Sequence, residues 1–231
     1  MNSNPMNKTR NATKLYVGVG IFSALAYVLS LVCSVIPKVA GFLSFDIKDS
    51  VIAIASFVYG PIAAVLISFI AAFVELISFS TTGWYGFVMN FASSAVFSLT
   101  ASLIYKRLRS LNGALISFLS AVVTTAGVML LLNKFVTPIY LFDYLKAMPE
   151  AAARDYVTEI LPTVLLPFNF AKALFNSAVA MLLYKPVVSL LRRAGMAEGG
   201  AKTTFNKSSV IILSVGGAAL ILALVILLLI W

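Results

Sequence analysis

Asn169, Lys172 and Asn176 stand at i, i+3 and i+7 in an otherwise apolar run, a spacing that puts all three on one face of a helix. Amides and an ammonium in such a setting donate and accept hydrogen bonds and are poor nucleophiles or bases. The chain has no His, and its one cysteine, Cys33, lies in an apolar stretch. Those residues supply no Ser-His or Cys-His pair, no His/Cys metal cluster and no internal disulfide. The chemistry to expect is recognition of a polar ligand, with no catalytic residue and no metal site.

If the helix enters from the outer side near Leu161, Asn169 lies about 12 Å down and Lys172 about 16 Å, at 1.5 Å per residue. A lysine at that depth needs a partner, either a ligand or a structural counter-charge such as Glu75, unless it snorkels. Other polar residues converge on the same outer half. Asn133 closes the preceding span at its outer end. Asn90 sits a turn into its helix, beyond a flexible stretch that contains Thr82 and Gly83. Asp46, Lys48 and Asp49 crowd the first outer loop, where Asp49 is placed to cap a following helix; for Asp46 and Asp49, capping and ligand contact are both open. Asn90 by itself reads most simply as a helix-helix hydrogen bond, worth about 0.6 kcal/mol in bilayers. Trp84, Tyr85 and Tyr140 fit an interfacial aromatic belt, or a stacking surface for a planar ligand. Gly20 and Ala24, followed by Ala26, narrow one side of the first helix and permit close approach of a partner helix.

The elements that hold these residues are membrane helices. Of 231 residues 61% are hydrophobic and 11% charged, against roughly 45–50% and 25% in soluble domains. Apolar runs fall near 15–36, 51–79, 86–105, 112–133, 161–185 and 209–231. Nothing in the polar, basic stretch 1–14 resembles a cleavable signal. The run 51–79 is interrupted by Gly60-Pro61, either a kink or a tight turn. Charge decides: a turn there puts Lys8, Arg10 and Lys14, the loop Lys106–Arg109 and the segment 185–207 on one side, as the positive-inside bias requires. The segments 37–48, 80–85 and 134–160 then form outer loops. Seven helices result, the second too short to cross unless protein surrounds it. The net charge of +9 marks topology and does not imply a nucleic-acid partner.

The expected organisation is a membrane domain over 1–190, a cytoplasmic linker over 191–208 and an additional transmembrane helix over 209–231, with the N-terminus cytoplasmic and the C-terminus extracellular. Only Glu75 and Lys172 lie deep among ionisable residues, a poor basis for a proton relay. No Walker A sequence is present, so an energy source for transport would have to come from another chain.

Phe45-Asp46-Ile47-Lys48-Asp49, Tyr59-Gly60-Pro61, Thr82-Gly83 with Asn90 beyond, Asn133, and Leu166-Pro167-Phe168-Asn169-Phe170-Ala171-Lys172 occur in an order that resembles the riboflavin-specific substrate-binding (S) component of energy-coupling-factor (ECF) vitamin transporters. The resemblance spans about residues 10–190, and Pro-Phe-Asn-x-x-Lys is its most specific piece. It implies an all-α, six-helix membrane bundle, not an enzyme, that binds riboflavin from outside without a cofactor. Asn133, Asn169 and Lys172 would hydrogen-bond the flavin ring. Asp46, Lys48, Thr82, Gly83 and Asn90 would complete the pocket, and the loop Phe42–Asp49 would close over it. Gly20 and Ala24 would meet a transmembrane coupling subunit driven by two ATPases in a bacterial cell membrane. The additional C-terminal helix lies outside the six-helix pattern. The alternatives are an S component for the flavin phosphate or another vitamin, and a stand-alone secondary carrier.

Overall fold

The computed structural model describes residues 5–108, 110–197 and 207–230. Among them run the helices α1 (Pro5–Cys33), α2 (Lys48–Tyr59), α3 (Pro61–Ser78), α4 (Gly83–Leu108), α5 (Leu111–Ile139), α6 (Glu150–Ile160), α7 (Leu166–Arg193) and α8 (Lys207–Ile230). Segments of α1, α3, α4, α5 and α7 are long and apolar enough to cross a membrane. The protein is an all-α, multi-pass membrane bundle.

The 51–79 run divides at Gly60. Its φ of +93° suits glycine and few other residues. Pro61 then opens α3 where a missing N–H costs nothing. With 12 residues, α2 is only about 18 Å long and cannot span a hydrocarbon core of about 30 Å. It is instead enclosed by α1, α3, α4 and α7, and every residue from Lys48 to Ser56 is buried. One face of α2 packs Ile52 and Ala55 against Phe22 and Ala26 of α1 and Ile67 of α3. The other sets Ile54 among Phe97 of α4, Phe118 of α5 and Leu174 of α7.

Close approach of α1 to the end of α2 depends on Gly18, where an added Cβ would lie 2.4 Å from the Tyr59 ring. Gly18→Ala should therefore destabilise the bundle by about 1–3 kcal/mol, the usual cost of overpacking. The thermal midpoint of the purified protein measures this, and an unchanged midpoint would mean that Tyr59 swings aside freely.

Two expectations are corrected here. The segment 134–160 is largely helical and not an open loop. α5 continues to Ile139, a π-helical turn covers Tyr140–Tyr144, and α6 follows. The apolar content of α6 is too low for a span. It forms because Ala151, Ala152 and Ala153 are strong helix formers, because Glu150 pairs with Arg154 one turn on at 2.7 Å, and because Ala153 and Val157 bury one face. In α1, Ala26 is fully buried while Gly20 and Ala24 are exposed, so the three small residues do not share one side.

The additional helix is present as α8, 24 residues long. Gly216 lies against Leu182 and the Ala178 carbonyl of α7. Ile226 packs near Phe168 and Ala171, at the opposite end of α7 from Val188. The two helices thus run antiparallel. Of the linker placed at 191–208, residues 191–193 belong to α7, and 198–206 lie outside the described residues.

Candidate functional site: a polar cavity at the outer helix ends

Three helices, the π-helical turn and two loops enclose one cavity. Asn90 and Ser93 face it from α4, Asn133 and Thr137 from α5, and Asn169 and Lys172 from α7. Phe42, Leu43 and Ser44 of the 34–47 loop close one wall, and Thr82, Tyr85, Tyr140 and Phe168 add to the rim and sides. The combination of an apolar, aromatic wall with a few convergent polar groups is that of a small-molecule site.

The amides are anchored before any ligand arrives. Asn133 donates from Nδ2 to the Met129 carbonyl at 2.7 Å and accepts from Thr137 Oγ1 at 2.9 Å. Asn169 donates from Nδ2 to the Leu165 carbonyl at 2.7 Å. Each Nδ2 bond spends one donor of a group that offers two, and the amide plane is held in place. Asn133 does not end its helix, as the sequence suggested; α5 continues past it to Ile139, so the amide sits about 9 Å before the end of a continuous wall.

The buried charges are distributed differently from a Lys172–Glu75 pair. Lys172 Nζ donates to Asp46 Oδ2 at 2.8 Å and to the Ser44 carbonyl at 3.3 Å. Glu75 instead takes Lys48 Nζ on both oxygens, at 2.7 and 2.9 Å, and Asn90 Nδ2 at 3.0 Å. Asp46 Oδ2 lies 3.7 Å from Lys48 Nζ, so the two ion pairs share one network. Burial alone would raise the Asp46 carboxyl, but the charges of Lys172 and Lys48 outweigh it and hold the group below the usual carboxylate range.

This network also starts α2. Asp46 Oδ1 accepts the Lys48 N–H at 3.2 Å, and Asn176 Oδ1 accepts the Ser50 N–H at 2.8 Å. Two of the unpaired donors at the helix start are thereby satisfied. The capping expected of Asp49 is not made; its carboxylate accepts the Ser94 hydroxyl of α4. Asn176 shares the Lys172 face but does not line the cavity. It donates to the Asp46 and Lys172 carbonyls at 2.9 and 3.0 Å and clamps loop, α2 and α7 together.

Of the expected site residues, the structure brings Asn133, Asn169, Lys172, Thr82 and Asn90 to the cavity. Asp46 lies behind Lys172 and lines an adjoining recess with Glu75, Ser80 and Thr81. Lys48 is 1% exposed and is engaged by Glu75. Gly83 opens α4 outside the cavity, where a Cβ would come 3.0 Å from the Tyr144 ring. Tyr85 and Tyr140, 6.1 Å apart between ring centroids, belong to the wall; Trp84, 65% exposed, points outward like a belt residue. Sequence reasoning missed Ser93 and Thr137. Their one-turn spacing from Asn90 and Asn133 was the signal available.

Residues 14–184 match the model of a protein family described as "ECF transporter, substrate-specific component". The chain belongs to that family. Its members are components of transporters and not enzymes. Over 180 residues the chain is 28% identical to "Riboflavin transporter RibU" of Staphylococcus aureus (strain TCH60), covering 78% of this chain and 93% of that protein. It is 29% identical over 188 residues to "Riboflavin transporter FmnP" of Bacillus subtilis (strain 168), covering 78% and 97%. A solved chain reported under "Structure and mechanism of the S component of a bacterial ECF transporter" superposes with a TM-score of 0.62 at 28% identity, covering 79% of this chain and 99% of that one. The family match stops at residue 184, so the end of α7 and all of α8 lie beyond it.

Proposed function

We propose that this chain binds riboflavin from the extracellular side, as the substrate-specific subunit of an ATP-driven ECF uptake transporter in a bacterial cell membrane. The observation that carries the reading is the meeting of Asn133, Asn169 and Lys172 from two helices in one aromatic-walled cavity. Their amide and ammonium groups answer the carbonyls and ring nitrogens of a neutral flavin. Tyr85, Tyr140 and Phe42 offer faces on which a planar ring stacks. Thr82 and Asn90 extend the polar wall, and Asp46 holds Lys172 in place. The cavity as it stands is about 90 Å³, short of the roughly 300 Å³ at the low end of ligand pockets. Entry of a three-ring ligand thus requires the 34–47 loop to move outward.

Lys14, Lys106 and Arg192 meet at the opposite end of the bundle, which by the positive-inside bias is cytoplasmic. The N-terminus is then cytoplasmic and the end of α8 extracellular. The domain reading that goes with this is a binding bundle over 1–190, a linker over 191–208 and an added anchor over 209–231. Gly20 and Ala24, exposed and with open space beside Gly20, are the positions proposed to meet a transmembrane coupling subunit, itself driven by two ATPases.

Uptake of labelled riboflavin by cells unable to make it tests the assignment. Uptake should require this chain together with co-expressed coupling and ATPase subunits. Uptake by this chain alone would identify a stand-alone carrier and overturn the proposal.

A further inference from the structure

At the end of the bundle away from the polar cavity lies a second one, of about 660 Å³, within the range of ligand pockets. It opens where α2 stops short of the membrane face, beneath Phe57, Tyr59 and Gly60. Counting 1.5 Å per residue along α4 from Asn90 to Lys106 puts it about 24 Å from the first cavity. Lys14 of α1, Lys106 of α4 and Arg192 of α7 converge on it, and among the described residues its lining includes no Asp or Glu. The floor is largely aromatic, with Ser56 and Ser102 adding polar groups. Phe57 stacks on Tyr105 with centroids 4.2 Å apart, and Val188 lies beside them. The Tyr105 and Tyr184 hydroxyls are 3.2 Å apart; one donates to the other, which leaves one O–H to donate elsewhere.

The carbonyl end of α2 accounts for some attraction of cations here. A single exposed helix end carries about half a charge, however, and does not require three full positive charges drawn from three helices. Nor does it explain a hollow of this size, with polar groups at its mouth and aromatic and aliphatic side chains behind them. Cations around a mouth with an aromatic, aliphatic floor suit an anion that carries hydrocarbon.

We infer that this cavity is a binding site for a phosphate-bearing anion, and that an anionic phospholipid of the adjacent leaflet supplies it. Arg192 offers a planar fork to phosphate oxygens and the lysines act as point charges. The inference rests on the second cavity alone and does not depend on the identity of the transported ligand; the leaflet is the inner one if the proposed orientation holds.

The full chain in nanodiscs of phosphatidylcholine, with and without phosphatidylglycerol, tests it, with lipid retention read by native mass spectrometry. The wild type should retain one phosphatidylglycerol in preference to phosphatidylcholine. Lys14→Gln/Lys106→Gln should reduce that preference by about thirtyfold, at about 1 kcal/mol per basic residue near the surface. Arg107→Gln, outside the cavity, should leave it unchanged. A normal thermal midpoint shows that these variants are folded. A response to inorganic phosphate alone, without lipid, would place the source in solution and overturn the lipid assignment. Equal retention of both lipids by the wild type, or equal losses in the double variant and Arg107→Gln, would overturn the site.

Discussion

Replacing Lys172 with methionine should weaken riboflavin binding by about 10- to 150-fold, the range for losing a charged hydrogen bond worth about 1.5–3 kcal/mol. Methionine keeps the length and apolar stem, so the change is mainly electrostatic. It has a second consequence. Asp46, 3% exposed, loses its 2.8 Å partner and keeps only Lys48 at 3.7 Å. The loop that carries Asp46 is then less firmly held to α7. Pairing Lys172→Met with Asp46→Asn separates the two effects, because the orphaned carboxylate is removed as well. The double variant should recover thermal stability and remain a weak binder. Recovery of full affinity would show that Lys172 acts only by holding the loop.

The second large effect concerns folding. Glu75 accepts three hydrogen bonds, two from Lys48 and one from Asn90, and is itself buried. Glu75→Ala leaves the Lys48 ammonium enclosed with much of its compensation gone. Breaking a buried pair from one side costs about 3–5 kcal/mol. The thermal midpoint should fall sharply, and α2, whose first turn carries Lys48, should lose protection from hydrogen exchange. Lys48→Met in the same chain should restore part of the loss, because no uncompensated charge then remains beside the space that Glu75 leaves. Equal instability of the single and double variants would mean that the site needs Glu75 for its contact with Asn90.

These ion pairs also show where the sequence stops being informative. The common face of Asn169, Lys172 and Asn176 was legible because helical spacing is a local property. The turn at Gly60-Pro61 was legible from backbone chemistry and from the sidedness of charge. Which carboxylate meets which lysine was not. Asp46, Asp49 and Glu75 lie within reach of Lys48 and Lys172 only once loop, α2, α3 and α7 have packed, and no local spacing distinguishes the pairings. Lys48 read as a loop residue open to ligand because the apolar run begins at Val51, which left Lys48 outside the short helix expected to be surrounded by protein. The same limit hid α6, whose signals are alanines and one i, i+4 ion pair where hydropathy looks for long apolar runs. It hid the basic-end cavity too, since Lys14, Lys106 and Arg192 are far apart in the chain and each reads singly as a topology marker.

The central claim is that the cavity formed by Asn133, Asn169 and Lys172 is a flavin site, and equilibrium titration of the purified, flavin-stripped chain with riboflavin tests it most directly. Flavin fluorescence should be quenched on stacking against the aromatic wall, saturably and at one equivalent per chain, with Lys172→Met shifting the curve to higher concentration. A curve with no quenching and no retained yellow colour, from protein whose thermal unfolding shows it to be folded, would contradict the account.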